Sequence, residues 1–404
     1  MAFLFIIPLP FATATTYKTL YSFANGQDGG IPSSGVTFDA KGNLFGTTYQ
    51  GGPSKEGVVY ELSPNKDGTW TESVVHSFVY SEGDVPAEGV IIDSSGNLYG
   101  STTSGGPDRI GTVFELSPDG GAWMLNLIYD SIGGPFVFDS AGSLYGSLGE
   151  GDNLAGAIGE LSPAPDLWSY TLLHSFCAHR PQCSDGIQPQ GPLAWDSAGN
   201  LYGNTIHGGI YKYPTPCADD QGCGLVFQMR PRPDGTWSYR ILHWFGSFVG
   251  DGLLLNGGLL VDDQGNVYRS TGVGGPSGTG TVFELSPRPT GRKGQSIVYS
   301  EAQLYTFPNC SQGCGPFDVL TRDSAGNLYG AAGGGNTSCG GYCGVVYRLS
   351  PQRDGTWKYN LLHAFTGSDG AGPYGVTVGA DGNIYGATIA GGTYNHGVVF
   401  EITP

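Results

Sequence analysis

The chain has 404 residues, 70 of them glycine and 26 proline, with 35 acidic against 18 basic residues and a net charge of −17. That balance argues against nucleic acid and polyanionic surfaces as partners, because binding to either depends on clustered lysine and arginine. It also keeps a glycine- and tyrosine-rich surface in solution, and glycine and proline at these levels suit short strands joined by many turns.

Residues 2–11, AFLFIIPLPF, form an apolar run, followed by Ala12, Thr13 and Ala14 in the manner of a small-residue cleavage site. The first lysine is Lys18, so the basic start of an ordinary signal peptide is missing. The run is too short and too rich in proline to span a membrane. Residues 1–14 therefore read as a signal-like segment and 15–404 as the folded body of a secreted or cell-surface protein.

From there one phrase recurs seven times, with its turn glycine at Gly42, Gly96, Gly142, Gly199, Gly265, Gly326 and Gly382. In the first copy, 35–39 is apolar and β-branched and reads as strand A, and 43–48 follows a short turn as strand B. Strand C is 57–62 and strand D is 70–78, separated by the turn residues Ser63, Pro64, Asp67 and Gly68. No stretch sustains a 3.6-residue apolar period, so helices are not expected. Four antiparallel strands at this repeat length describe a propeller blade. Residues 17–23 look like a strand D with nothing before it, and the last copy stops after its strand C. The expectation is an all-β, seven-bladed β-propeller of four-stranded blades, closed by the N-terminal strand.

All eight cysteines fall in close pairs, Cys177 with Cys183, Cys217 with Cys223, Cys310 with Cys314 and Cys339 with Cys343. Pairs of this kind suggest disulfides formed in an oxidising compartment, although pairing between the two loops of blade four is also open. No His–Cys cluster has zinc-finger spacing, so no metal or cofactor is expected.

The phrase Asp-Ser-Ala-Gly-Asn-Leu-Tyr-Gly at 196–203 and 323–330, with Gly-Val-Val-Phe-Glu at 397–401 and Asp-Gly-Thr-Trp at 234–237, resembles the GloVer tandem-repeat family of secreted bacterial proteins. The resemblance covers the chain beyond residue 16 and implies an exported or surface-attached protein. It brings no catalytic motif to carry over. The turn also resembles, more weakly, those of NHL-type and streptogramin-lyase-type propellers.

The copies can be aligned on one another, which separates scaffold from exception. Glu61, Glu115, Glu160, Glu284 and Glu401 repeat on strand C, and His76, His174, His243 and His363 near the end of strand D. Polar residues copied around a ring act as hydrogen-bonding brackets. A recurring Asp between blades (Asp28, Asp84, Asp185, Asp251, Asp369) reads as a turn-former. The A–B and C–D turns are uniform, whereas the B–C and D–A loops vary and carry every cysteine, so the rim they form is the expected binding face.

Five residues before the end of strand A the copies read Ser34, Glu88, Gly134, Gly191, Gly257, Asp318 and Tyr374. Only Glu88 and Asp318 are carboxylates, in blades two and six, which face each other across the channel. Two carboxylates about 5–10 Å apart are what glycosidic cleavage requires, and two solvated loop residues would give the same pattern. His179 and His207 fall outside the repeated histidine position, beside Arg180, Tyr211, Lys212 and Tyr213 in the loops of blade four. That concentration suits acid–base chemistry or anion recognition. Arg269 replaces a glycine, and Arg322 an apolar residue of strand A. Trp244 and Tyr374 are candidate stacking platforms for a sugar ring.

The expectation is a monomeric, secreted, glycan-active propeller with one asymmetric site at the top of the channel. The catalytic candidates are Glu88, Asp318, His207 and His179. Arg180, Arg269, Arg322, Tyr211, Lys212, Trp244 and Tyr374 are the candidates for substrate binding. A hydrolase would use the Glu88 and Asp318 pair on a polysaccharide or oligosaccharide, and a lyase a base such as His207. A non-catalytic glycan- or surface-binding scaffold is the alternative.

Overall fold

A computed structural model of the chain describes residues 15–404 apart from 132, 149–150, 152–153, 165–167, 179–182, 211–221, 249, 254, 256, 289–297, 317–318 and 340–342. It contains seven small antiparallel sheets arranged as a seven-bladed β-propeller, with no α-helix among the described residues. Blade one has strands B, C and D at Leu44–Gln50, Val58–Pro64 and Trp70–Ser77. Blade seven has Ala371–Val378, Ile384–Ala390 and Val398–Thr403 as strands A to C. Its strand D is Thr16–Ser22, which pairs antiparallel with Val398–Thr403 and closes the ring.

Strand A departs from the expected continuous segment 35–39. In blade one it is split into Gly30–Pro32 and Thr37–Phe38, which pair with the two ends of strand B. Blade two splits the same way into Asp84–Pro86 and Ile91–Ile92, and blade four into Ile187–Pro189 and Ala194–Trp195. In blade seven the strand is continuous but bulged between Tyr374 and Val376. The cause is crowding at the axis. A Cβ on Gly191 would lie 2.0 Å from the carbonyl carbon of Gly257 in the next blade, so the backbones of neighbouring blades touch and cannot remain in a regular ladder.

The repeated phrase accounts for the rest of the scaffold. Asp39 Oδ1 accepts from the backbone N–H groups of Lys41 and Asn43 at 2.8 and 2.9 Å, its Oδ2 accepts from Asn43 Nδ2, and Gly42 takes φ +87°. This Asx turn recurs around the ring, and in most copies the same Asp also accepts from the Leu-Tyr-Gly tyrosine, as Asp196 does from Tyr202 at 2.9 Å. The tyrosine ring then packs into the next blade. Tyr385 meets Phe38 and Trp70, Tyr99 meets Phe138 and Trp168, and Tyr145 meets Trp195 and Trp237. Each such pair adds about 0.5–1.5 kcal/mol beyond its burial.

A second seam joins the outer strands. The residue near the end of strand D stacks on the residue six before the Phe that follows strand D in the next blade, as in His174 on Tyr239 and His363 on Tyr17, both with ring centroids 4.0 Å apart. The histidines also hold their own D–A loops, through His363 Nε2 and Asp369 Oδ2 at 2.9 Å and His76 Nε2 and Glu82 Oε2 at 3.1 Å.

Two outcomes follow from these seams. Gly191→Ala should cost more than about 2 kcal/mol, because it sets a Cβ against backbone at a position whose φ is +74°; equilibrium denaturation measures it. At the junction of blades seven and one the seam residue is Glu72, whose carboxyl is pushed up to about 7 by burial and then by Asp28. A carboxyl that holds its proton more tightly when folded stabilises most below the unfolded pKa, and that contribution is lost as pH rises toward 7. Glu72→Gln should therefore raise the melting temperature relative to wild type more at about pH 8 than at about pH 5. An equal difference at both would contradict it.

Candidate functional site

The D–A and B–C loops interlock on one rim, through backbone bonds such as Gly52 N–H to Gly26 O at 2.8 Å and Gly209 N–H to Cys183 O at 3.0 Å. Disulfides staple this rim at Cys177–Cys183, Cys310–Cys314 and Cys339–Cys343, and Cys223 is also disulfide-bonded. Beneath the rim lies the central channel, a cavity of about 670 Å³ lined by the innermost segments of all seven blades.

Among the described residues lining it, Glu88 is the one charged side chain. It stands in the gap between the two halves of strand A in blade two, where no ladder turns it into the sheet. Its side chain reaches channel water, but the surrounding walls strip away bulk hydration and raise its carboxyl above the usual range. Burial, and then the charge of Glu88, likewise raise the hydroxyl of Tyr49. Ser34, Gln190 and Tyr374 line the same cavity. A side groove of about 320 Å³ opens from it over blade three, bounded by Glu88, Ser147, Leu154, Gln188 and Gln190. The arrangement offers one acid with a raised pKa, neutral hydrogen-bonding groups and an aromatic ring. Those are the groups that meet a sugar chain.

Glu88 and Tyr374 are thus brought to one cavity. Asp318, His179, Arg180, Tyr211, Lys212 and Tyr213 lie outside the described residues. His207 ends strand B of blade four, paired with Ile187, and its carbonyl accepts from Thr205 Oγ1 at 2.8 Å. Trp244 ends strand D of that blade, over Gly209, with its indole donating to Ser184 O at 3.4 Å. Neither His207 nor Trp244 is among the described residues lining the channel.

The two arginines depart from what was expected of them. Arg269 is 1% exposed, and its Nη1 donates to Gly257 O at 2.6 Å, to Gly258 O and to Asn204 Oδ1 at 3.1 Å, so its guanidinium braces blade four to blade five and is not open to a ligand. Arg322 occupies the slot of Phe38, Phe138 and Trp195. It lies over the Tyr268 ring at 5.5 Å and pairs with Asp262 Oδ2 at 3.2 Å, so a cation–π contact stands where an aromatic pair stands elsewhere. That slot adjoins the A–B turn, the rim opposite the variable loops. Gln188, Gln190 and Tyr49 were missed from sequence. Gln190 was detectable, since Ser33, Ala87 and Gly133 fill its place in the first three copies.

Seven sheets sharing one axis, with a loop-built rim over a lined channel, define a closed propeller of repeated blades. The chain belongs to the Gloeobacter/Verrucomicrobia repeat family, whose pattern matches residues 9–217 and again 215–404. Several solved structures share the fold. The extracellular domain assigned to a hybrid two-component system of B. thetaiotaomicron aligns with a TM-score of 0.54 and 14% identity over 96% of this chain, which spans 41% of that one. YCF48 from Cyanidioschyzon merolae aligns with a TM-score of 0.52 and 14% identity, over 96% of this chain and 99% of its own. A polysaccharide lyase, an ulvan lyase bound to -[GlcA(1-4)Rha3S]-, aligns with a TM-score of 0.54 and 10% identity, over 92% of this chain and 94% of its own. At these identities the likeness is one of fold alone. No curated protein matches the chain in sequence. Among the described residues no helix is long and apolar enough to cross a membrane.

Arg322→Phe should keep stability within about 1 kcal/mol, since it restores the aromatic contact. Asp262→Ala, which removes the acceptor for Gln264, Asn266, Tyr268 and Arg322, should cost more than about 2 kcal/mol. Denaturant titration of both variants checks the ranking.

Proposed function

We propose that this protein is a secreted, glycan-active propeller that takes a polysaccharide or oligosaccharide chain into the top of the central channel, with Glu88 as the proton donor to the glycosidic oxygen. The observation that carries the reading is the Glu88 carboxyl, raised by the walls around it and open to a cavity whose other described lining groups are neutral. A carboxyl raised by low-dielectric walls remains protonated closer to neutral pH, as general-acid work requires. Gln188 and Gln190 supply amide groups for sugar hydroxyls along the side groove, and Tyr374 a ring for stacking. Asp318, five residues before the end of strand A in blade six, is the base or nucleophile of this reading. The ulvan lyase of the same fold binds a glycan in its own right; the analogy is one of scaffold. Disulfides on the rim suit an exported protein.

The second reading is a binder that holds a glycan without cutting it, favoured by Ser34, Gln188, Gln190 and Tyr374, neutral hydrogen-bonding groups beside a single carboxyl. Product release and binding on a panel of neutral and uronate-containing polysaccharides separate the two. Glu88→Gln should lower release by about 10²–10⁴-fold while binding is retained, and Asp318→Asn should lower it comparably. Wild-type activity should fall as pH rises through the Glu88 pKa, and the residual activity of Glu88→Gln should lack that limb. Release unaffected by either substitution would overturn the site. Binding without release from wild type would establish the binder.

A further inference from the structure

The outer seam between blades four and five differs from the stacked ones. Where Tyr239 and Tyr17 lie against a histidine of the preceding blade, blade five presents Glu301 on its strand D, Val298–Thr306. His243 Nε2, on the outer strand of blade four, lies 3.0 Å from Glu301 Oε2 and 3.5 Å from Asp251 Oδ2 of the following loop. One ligand atom from each of the three residues lies within 4.8 Å of the others. The site is nearly closed, with Asp251 3% exposed and the Glu301 side chain 6%.

These groups approach one another closely but without well-formed hydrogen bonds. His243 Nε2, both oxygens of Glu301 and Asp251 Oδ1 are buried and have no hydrogen-bond partner, although Asp251 Oδ2 accepts from Ser247 N–H at 2.9 Å. At blade six the corresponding histidine makes an aligned hydrogen bond to Asp369 at 2.9 Å. The close approaches here lack that alignment, as does that of His174 to Asp185 at 3.5 Å, but among the described residues only here does a second carboxylate, Glu301, join the histidine and the loop Asp. Two buried carboxylates side by side need either a neutralising cation or a shared proton.

We propose that His243, Asp251 and Glu301 form a divalent-cation site of the zinc class that rivets blade four to blade five. The separations of 3.0 and 3.5 Å are those of donors about 2.0–2.2 Å from one ion in tetrahedral or octahedral array. One imidazole with two carboxylates suits zinc, whereas calcium and magnesium favour oxygen ligands throughout. The His243 side chain keeps 14% exposure, which gives the ion a way in. The site belongs to the scaffold and is independent of the glycan reading.

The test uses the untagged chain, stripped with chelator and titrated with zinc chloride in a calorimeter, with melting curves recorded with and without the metal. One equivalent of zinc should bind and raise the melting temperature. Glu301→Gln and His243→Gln should each weaken binding at least about tenfold. Glu72→Gln, at a junction whose facing residue is Tyr21, should bind zinc as wild type does, so a uniform loss through misfolding would be recognised. Calcium chloride should give neither the heat nor the shift. Absence of zinc binding in the wild type, or equal binding in Glu301→Gln, would overturn the proposal and leave the trio as a proton-sharing cluster.

Discussion

Everything in this ring depends on the contact between one blade and the next. A four-stranded sheet of this size cannot bury its own faces, so each blade is stable only against its neighbours. The Asp of the A–B turn and the tyrosine six residues later form the working unit of that contact. The turn fixes the start of strand B and accepts the tyrosine hydroxyl, and the ring is then delivered to the following blade at a set height. Because the seam calls for similar chemistry at most junctions, the sequence repeats.

The same demand shapes the channel. Backbones of adjacent inner strands come into contact at the glycines, and the ladder opens between the halves of strand A. The residues in that opening are released from pairing and turn toward the axis. Glu88 is such a residue, and the walls that raise its carboxyl are built in part by other blades. Crowding that interrupts regular structure is therefore also what provides a place for a polar group at the centre of the ring.

Blade number, strand order and ring closure were legible because each recurs with its hydrogen-bonding residues in place. The split of strand A was not, since it results from contact between blades and no single copy encodes it. Glu88 could be found as an exception at an aligned position. Arg322 was an equally clear exception with a different meaning, because its partners Tyr268 and Asp262 belong to the preceding blade. Arg269 misled for the same reason, its acceptors being Asn204 and two backbone carbonyls. Glu301 was overlooked although its column reads Tyr170, Tyr239, Tyr359 and Tyr17 in other copies, because what it faces, His243, shows only across the seam. An alignment of copies registers substitutions within a column, whereas these seams join two columns.

The closing strand has a consequence for how the molecule is made. Within the ring, Thr16–Ser22 precedes every other strand in synthesis, and its partner Val398–Thr403 follows them all. Until the seventh blade has been completed, the early strand has no sheet to join and the growing protein is an open arc with an uncovered blade at each end. Such edges invite pairing with other chains. The closure therefore acts as a completion check: only a chain translated through its final strand can cover both ends of the arc.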